Sequence, residues 1–241
     1  MTARRRTRRW GRGLAAASLL ALGGWLAWEA WTWPDVAALA RQKPRTTAFI
    51  EYYRREQRAA GREGRVAWTS IPYERISPHL KRAVLVAEDI NFFSHRGFDV
   101  GEIGLALQEA LEERETPRGA STITQQLAKN LWLSPSRNPL RKLREALLTW
   151  QLERTLAKRR ILELYLNVAE LGPGVYGAEA ASRRYFGKAA ADLDEEEAAQ
   201  VAGSLPNPTA WHPGAPGRAY ARHVARIRAR MAKAEFLWKR I

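Results

Sequence analysis

The sequence predicts a mainly α-helical domain carried behind one N-terminal membrane helix. Apolar residues recur at i, i+3, i+4 and i+7 through several stretches after residue 77, the spacing of one helix face. No strand-rich region and no internal repeat appears. Residues 13–33 form an apolar run of 21 with a single charge, Glu29, and about 20 mainly apolar residues cross a bilayer as a helix.

The N-terminal elements come first. Residues 1–12 carry six arginines and no acid, which predicts a cytoplasmic tail and an external remainder. Trp10, Trp25, Trp28, Trp31 and Trp33 lie at or beside the two ends of the apolar run, as interfacial aromatics do. A cleaved signal peptide is the competing reading, with Ala38-Leu39-Ala40 as its small-x-small site. The run exceeds the roughly 7–15 residues of such a segment, so 13–33 reads as an uncleaved transmembrane signal anchor. Residues 34–60 read as a membrane-proximal helical stalk, interrupted at Pro44. Phe49, Ile50, Tyr52 and Tyr53 among charges suit a helix lying on the membrane surface or one packed on the domain that follows, 61–241.

Gly61 and Gly64 break the helical pattern, and 65–73 reads as a short extended segment ending near Pro72. Ser77 is a helix cap and Pro78 suits the first helical position. Leu80, Ala83, Val84 and Ala87 then form one apolar face, and the helix ends near Glu88 and Asp89. His95 has no second His or Cys at metal spacing, so it reads as a hydrogen-bonded structural residue. Another helix is expected over 100–111 and a mobile charged loop over 112–119, broken by Pro117 and Gly119. Thr122 and Gln125 have the spacing of a capping box. After Pro135 and Pro139 a helix starts near Leu140, with Leu143, Ala146, Leu147 and Trp150 as its apolar stripe. Residues 158–169 are apolar nearly all round, hence buried, with Glu163 and Asn167 as an internal hydrogen-bonding pair. Residues 171–177 read as a tight glycine turn and 178–186 as a helix. Asp194 and Glu197 cap the next helix, which stops at Gly203 and Pro206. Tyr220, Val224, Ile227, Met231, Ala234 and Trp238 line a last basic helix.

The formal net charge is +15, which implies an acidic partner: nucleic acid, anionic lipid or a phosphorylated substrate. The predicted topology removes the domain from cytoplasmic nucleic acid. There is no cysteine, hence no disulfide framework and no thiolate metal site. Residues 118–145 collect Ser121, Thr122, Gln125, Gln126, Lys129, Arg137, Arg141 and Glu145. The plain reading is a capped helix, a basic loop and an Arg141–Glu145 surface pair, worth about 0.3–0.5 kcal/mol and in the poorer order for a helix. The functional reading is a polyanion site with an acid at its edge, opened by a helix N-terminus. Glu88 reads locally as a solvated end residue. Its place at a helix C-terminus also raises a carboxyl pKa, as a general base requires. Arginine and lysine are suited to a pyrophosphate, and two carboxylates to glycosyl chemistry. Together they point to a membrane-side pyrophosphate that carries sugar, a lipid-linked sugar donor.

Four ordered segments, EDINFFSHRG (88–97), RGASTITQQLAKN (118–130), RKLRE (141–145) and KRRILELYLNVAELGPGVYGAEAASRRYFGK (158–188), resemble the motifs of the peptidoglycan glycosyltransferases. The resemblance extends over roughly 60–240 and is strongest to the Gram-negative monofunctional biosynthetic transglycosylases. It implies a lysozyme-like fold with a cleft between a larger head lobe and a smaller, membrane-facing jaw lobe. It implies polymerisation of lipid II into glycan strands with release of undecaprenyl diphosphate. Glu88 would be the base that deprotonates the 4-hydroxyl of the acceptor's N-acetylglucosamine, which attacks the donor's anomeric carbon with inversion. Glu145 would support the leaving diphosphate directly, through a divalent cation (Mg or Mn) or through neighbouring cations. Lys129, Arg137 and Arg141 would hold the donor's phosphates, and Ser121, Gln125 and Gln126 would shape the sugar and phosphate subsites. Asp89, Phe92, His95 and Gly97 would shape the turn that presents Glu88. The implied partners are lipid II, the growing strand, the membrane and other cell-wall synthesis or division proteins. No organic cofactor and no nucleic acid is implied. The implied location is the inner membrane, single-pass, with the catalytic domain periplasmic. No S-x-x-K is present, so strand synthesis without transpeptidation is expected. The competing readings are a lytic peptidoglycan-cleaving enzyme of lysozyme-like fold, against which the phosphate-binding cations argue, and a non-catalytic membrane-anchored binding protein.

Overall fold

The computed structural model describes residues 17, 19–21, 23–25, 27–102, 104, 121–136, 138–215 and 217–241. The expected basic tail, the loop at 112–119, Arg137 and part of the expected anchor (13–16, 18, 22 and 26) lie outside them. The chain forms two compact units, 1–35 and 36–241. In the first, residues 27–31 are helical, and Trp28 and Trp31 are exposed. Among the described residues no helix is long and apolar enough to cross a membrane.

The second unit is mainly helical. Helix α1 (Ala48–Ala59) begins at Thr47, whose side-chain oxygen accepts from the Ile50 N–H at 3.1 Å. Val36 and Ile50 are fully buried, and Arg160 donates to the Leu39 and Gln42 carbonyls, each at 2.8 Å. Residues 36–59 are thus packed into this unit. Helix α2 (Pro78–Glu88) starts at the expected Ser77 cap, and the Ser77 hydroxyl also donates to the Leu193 carbonyl at 2.7 Å. Its buried side chains include Arg82, which donates to Glu195 at 3.0 Å and lies over the Trp238 ring.

Helix α3 (Ile123–Trp132) packs against α1, α4 (Pro139–Thr155) and α5 (Lys158–Val168). Both halves of the Thr122–Gln125 capping box are made. Strands β1 (Ala67–Trp68), β2 (Glu170–Gly172) and β3 (Val175–Tyr176) form one small sheet of order β1-β3-β2, with β1 parallel and β2 antiparallel to β3. The expected glycine turn is therefore a hairpin. At its exit Gly177 has φ +80°, and a Cβ there would stand 2.5 Å from the Asn167 carbonyl oxygen. Asn167 ties the sheet edge to α5: its side chain accepts from the Ile71 N–H at 2.8 Å and donates to the Ile71 and Glu163 carbonyls. The expected Glu163–Asn167 pair thus runs through the Glu163 backbone, while the Glu163 carboxylate pairs with Arg160. Helices α6 (Ala178–Phe186), α7 (Glu195–Ala202) and α8 (Arg218–Lys233) complete the unit, and α7 has the expected Asp194–Glu197 box.

Two apolar stripes do not coincide with the buried face. On α4 the buried face is Glu145, Leu148, Thr149 and Leu152. Leu140, Leu143, Leu147 and Trp150 are about half exposed on the opposite side. Periodicity locates a stripe but not the side on which the protein lies. At the C-terminus α8 stops at Lys233, a 3-10 turn follows over Glu235–Lys239, and Leu237 rather than Trp238 enters the core.

Candidate active site

Glu88 is the last residue of α2, and the next residue pins that end in place. The Asp89 carboxylate accepts from the Ile123 N–H at 3.0 Å and from His95 Nε2 at 2.9 Å. The Gly97 N–H donates to His95 Nδ1 at 3.1 Å, so the ring proton sits on Nε2. The Thr122 hydroxyl donates to the Gly97 carbonyl at 2.7 Å. These bonds close a ring that clamps the 89–97 turn onto the start of α3. Phe92 is fully buried beneath it. Asp89, His95 and Asp99 form a close group of potential ligand atoms, but its hydrogen bonds are those of a turn: Asp99 accepts from Asn91 and from the Glu102 N–H. The structural role expected for Asp89, Phe92, His95 and Gly97 agrees with this geometry.

The clamp brings Glu88 opposite Gln126, whose Nε2 donates to Glu88 Oε2 at 2.6 Å. Tyr165 of α5 donates to Gln126 Oε1 at 2.8 Å. Burial raises the Glu88 pKa, and the Asp89 charge adds to the rise. The Gln126 hydrogen bond and the Lys129 and Arg230 charges oppose it. Desolvation is thus the leading cause. A cavity of about 230 Å³ opens beside Glu88, lined also by Asp99, Ser121 and Arg230. Arg230 enters from α8, and its approach to Glu88 depends on chain folding across 142 positions, which local spacing does not reveal.

The second candidate carboxylate, Glu145 of α4, is 2% exposed and does not line this cavity. Arg141 Nη1 donates to its Oε2 at 2.6 Å, and Lys142 donates to Oε1. The expected surface pair is instead a buried carboxylate bracketed by two cations. Lys129 lies within electrostatic range of both Glu145 and Glu88; burial lowers its pKa, and both carboxylates oppose that shift. Of the remaining candidates, Ser121 lines the cavity, whereas Gln125 is buried with its Oε1 accepting from the Thr122 N–H at 3.0 Å. Arg137 lies outside the described residues. The donor set at Glu145 does not fit a protein-held divalent cation. It offers one carboxylate with both oxygens already on cations, where magnesium and its like take several oxygen ligands.

A half-buried carboxylate of raised pKa with cations in electrostatic range, in a helical domain that also holds a carboxylate bracketed by cations, suits an enzyme that transfers a glycosyl group from a phosphorylated donor. Residues 53–232 match the model of the transglycosylase family, and the chain belongs to that family. It is 46% identical over 224 residues to the biosynthetic peptidoglycan transglycosylase of Thiobacillus denitrificans, covering 92% of this chain and 95% of the relative. It is 46% identical over 228 residues to that of an Azoarcus species, covering 94% and 96%. It is 42% identical over 207 residues to that of Bordetella avium, covering 84% and 86%.

Proposed function

We propose that this protein polymerises lipid II into linear peptidoglycan strands by inverting glycosyl transfer and releases undecaprenyl diphosphate. The observation that carries the reading is Glu88, which accepts from Gln126 at 2.6 Å beside a cavity also lined by Ser121 and Arg230, with Lys129 of the same helix as Gln126 within electrostatic range. Glu88 takes the proton of the acceptor's 4-hydroxyl as that oxygen bonds to the donor's anomeric carbon. The bond from that carbon to the diphosphate breaks, and its electron pair leaves with the diphosphate. Lys129, Arg141 and Arg137 receive the charge. Glu145 acts by holding the cations in place rather than by binding a metal. Ser121 and Gln126 belong to the sugar side, and Gln125 contributes through the helix cap.

Labelled lipid II separates this reading from the lytic one. Purified protein should convert it to polymer, with and without chelator. Shortened glycan from finished wall, with no polymer from lipid II, would replace the synthetic reading by the lytic one.

The membrane-facing jaw, the single-pass anchor at 13–33 and the periplasmic placement belong to the same reading. Helix α4 supports the first of these. One of its faces carries Arg141 and Glu145, and the opposite face exposes Leu140, Leu143, Leu147 and Trp150. A helix of this kind places a departing lipid diphosphate directly above the bilayer that receives its tail. Replacing Leu143 and Trp150 together by glutamate should weaken binding of residues 36–241 to phosphatidylglycerol vesicles roughly ten- to a hundredfold. Unchanged flotation of the variant with those vesicles would remove α4 from the membrane surface.

A further inference from the structure

Glu88 has two carboxylate oxygens and the fold commits one of them. Gln126 Nε2 donates to Oε2 at 2.6 Å, and among the described residues no hydrogen bond reaches Oε1. A primary amide can present either end. Its NH2 group favours an ionised carboxylate, whereas its carbonyl favours a protonated one. The group behind the amide therefore decides which form of the base is held. That group is Tyr165, 1% exposed, whose hydroxyl donates to Gln126 Oε1 at 2.8 Å. Burial pushes the Tyr165 phenol far above its ordinary range, so it stays a neutral donor. With the amide flipped, two carbonyl-type oxygens would face each other at Glu88, and the buried phenol proton would lose its one acceptor among the described residues.

We propose that Tyr165 is a positioning residue for the base: acting through Gln126, it holds Glu88 Oε2 and leaves Oε1 for the acceptor's hydroxyl proton. The proposal rests on the glycosyl-transfer reading above. It links three helices through residues far apart in the chain, α5 to α3 to α2. Lys129 of α3 and Arg230 of α8 also favour the ionised form of Glu88, and Asp89 opposes it. Asp99 and Glu102 line the same cavity, and Glu145, Arg141 and Lys142 act on Lys129. None of these groups changes when the Tyr165 hydroxyl alone is removed.

The test measures polymer formation from labelled lipid II against pH, with the full chain in detergent. Tyr165→Phe, Gln126→Leu and the double variant are compared with the wild type, with thermal unfolding followed in parallel. In Tyr165→Phe the acid limb should move to higher pH by on the order of one unit. The rate on that limb should then fall roughly tenfold, while the plateau above it falls less than about threefold. Gln126→Leu should move the limb the same way, and adding Tyr165→Phe to it should produce no further shift. A loss uniform across pH, an unmoved limb with a lowered melting temperature, or limb shifts that add in the double variant would each overturn the relay. A wild type that makes no polymer, or Glu88→Gln that still makes it, would instead overturn the underlying functional reading.

Discussion

Polymer formation should fall by about a hundred- to ten-thousandfold when Glu88 is replaced by glutamine, the range lost with a general base. Glutamine keeps the shape and still accepts from Gln126, so the clamp around Asp89 and His95 remains. Stability should move the other way. Burial raises the folded-state pKa of Glu88 above its unfolded value. A group shifted in that direction contributes stability below its unfolded pKa and loses it as pH rises through the folded pKa. At neutral pH the ionised carboxylate is therefore a burden on the fold, and Glu88→Gln should melt at the wild-type temperature or above it. Below about pH 4, where both forms are protonated, the advantage should vanish. Lipid II turnover and unfolding at the two pH values check both halves. Joint loss of activity and stability at neutral pH would make Glu88 a structural residue.

The parts of this site that were legible in the sequence are those fixed within one turn of helix. Ser77, the Thr122–Gln125 box and the Asp194–Glu197 box are caps whose partners lie two or three residues away, and each is found as expected. Glu88 was ambiguous because its environment comes from elsewhere: Gln126, Lys129, Tyr165 and Arg230 arrive from three other helices. Family resemblance named its role, but the hydrogen bond that orients it was not visible in residue spacing. Helix α4 shows a different limit. Its leucine and tryptophan stripe is visible in the spacing, but which side lies inside is not, and the core takes the face with Glu145 and Thr149. Thr149 donates to the Glu145 carbonyl at 2.7 Å and so hides its polar atom within the helix. The extended segment expected over 65–73 contains β1, whereas β2 and β3 are not legible as strands because two or three residues carry too little alternation.

Glu145→Gln should lose both stability and turnover, and the two losses should separate when a diphosphate is added. In the free protein the carboxylate is bracketed by Arg141 and Lys142, with Lys129 in electrostatic range. Removing one member of a buried pair costs about 3–5 kcal/mol when the remaining charge is trapped. Here Lys142 is half exposed and can turn to water, so the expected loss is smaller, about 2 kcal/mol. Polymer formation should fall at least about a hundredfold, because the cations would no longer be held where charge develops on the leaving group. A polyprenyl diphosphate supplies the missing negative charge. It should therefore raise the melting temperature of Glu145→Gln more than that of the wild type, without restoring turnover. A cationic site filled by product is stable but is not organised for the next cycle. If Arg141 and Glu145 were an ordinary surface pair, the variant would unfold within about 0.5 kcal/mol of the wild type. Diphosphate would then stabilise both proteins equally, and Glu145 would have no part at the leaving group.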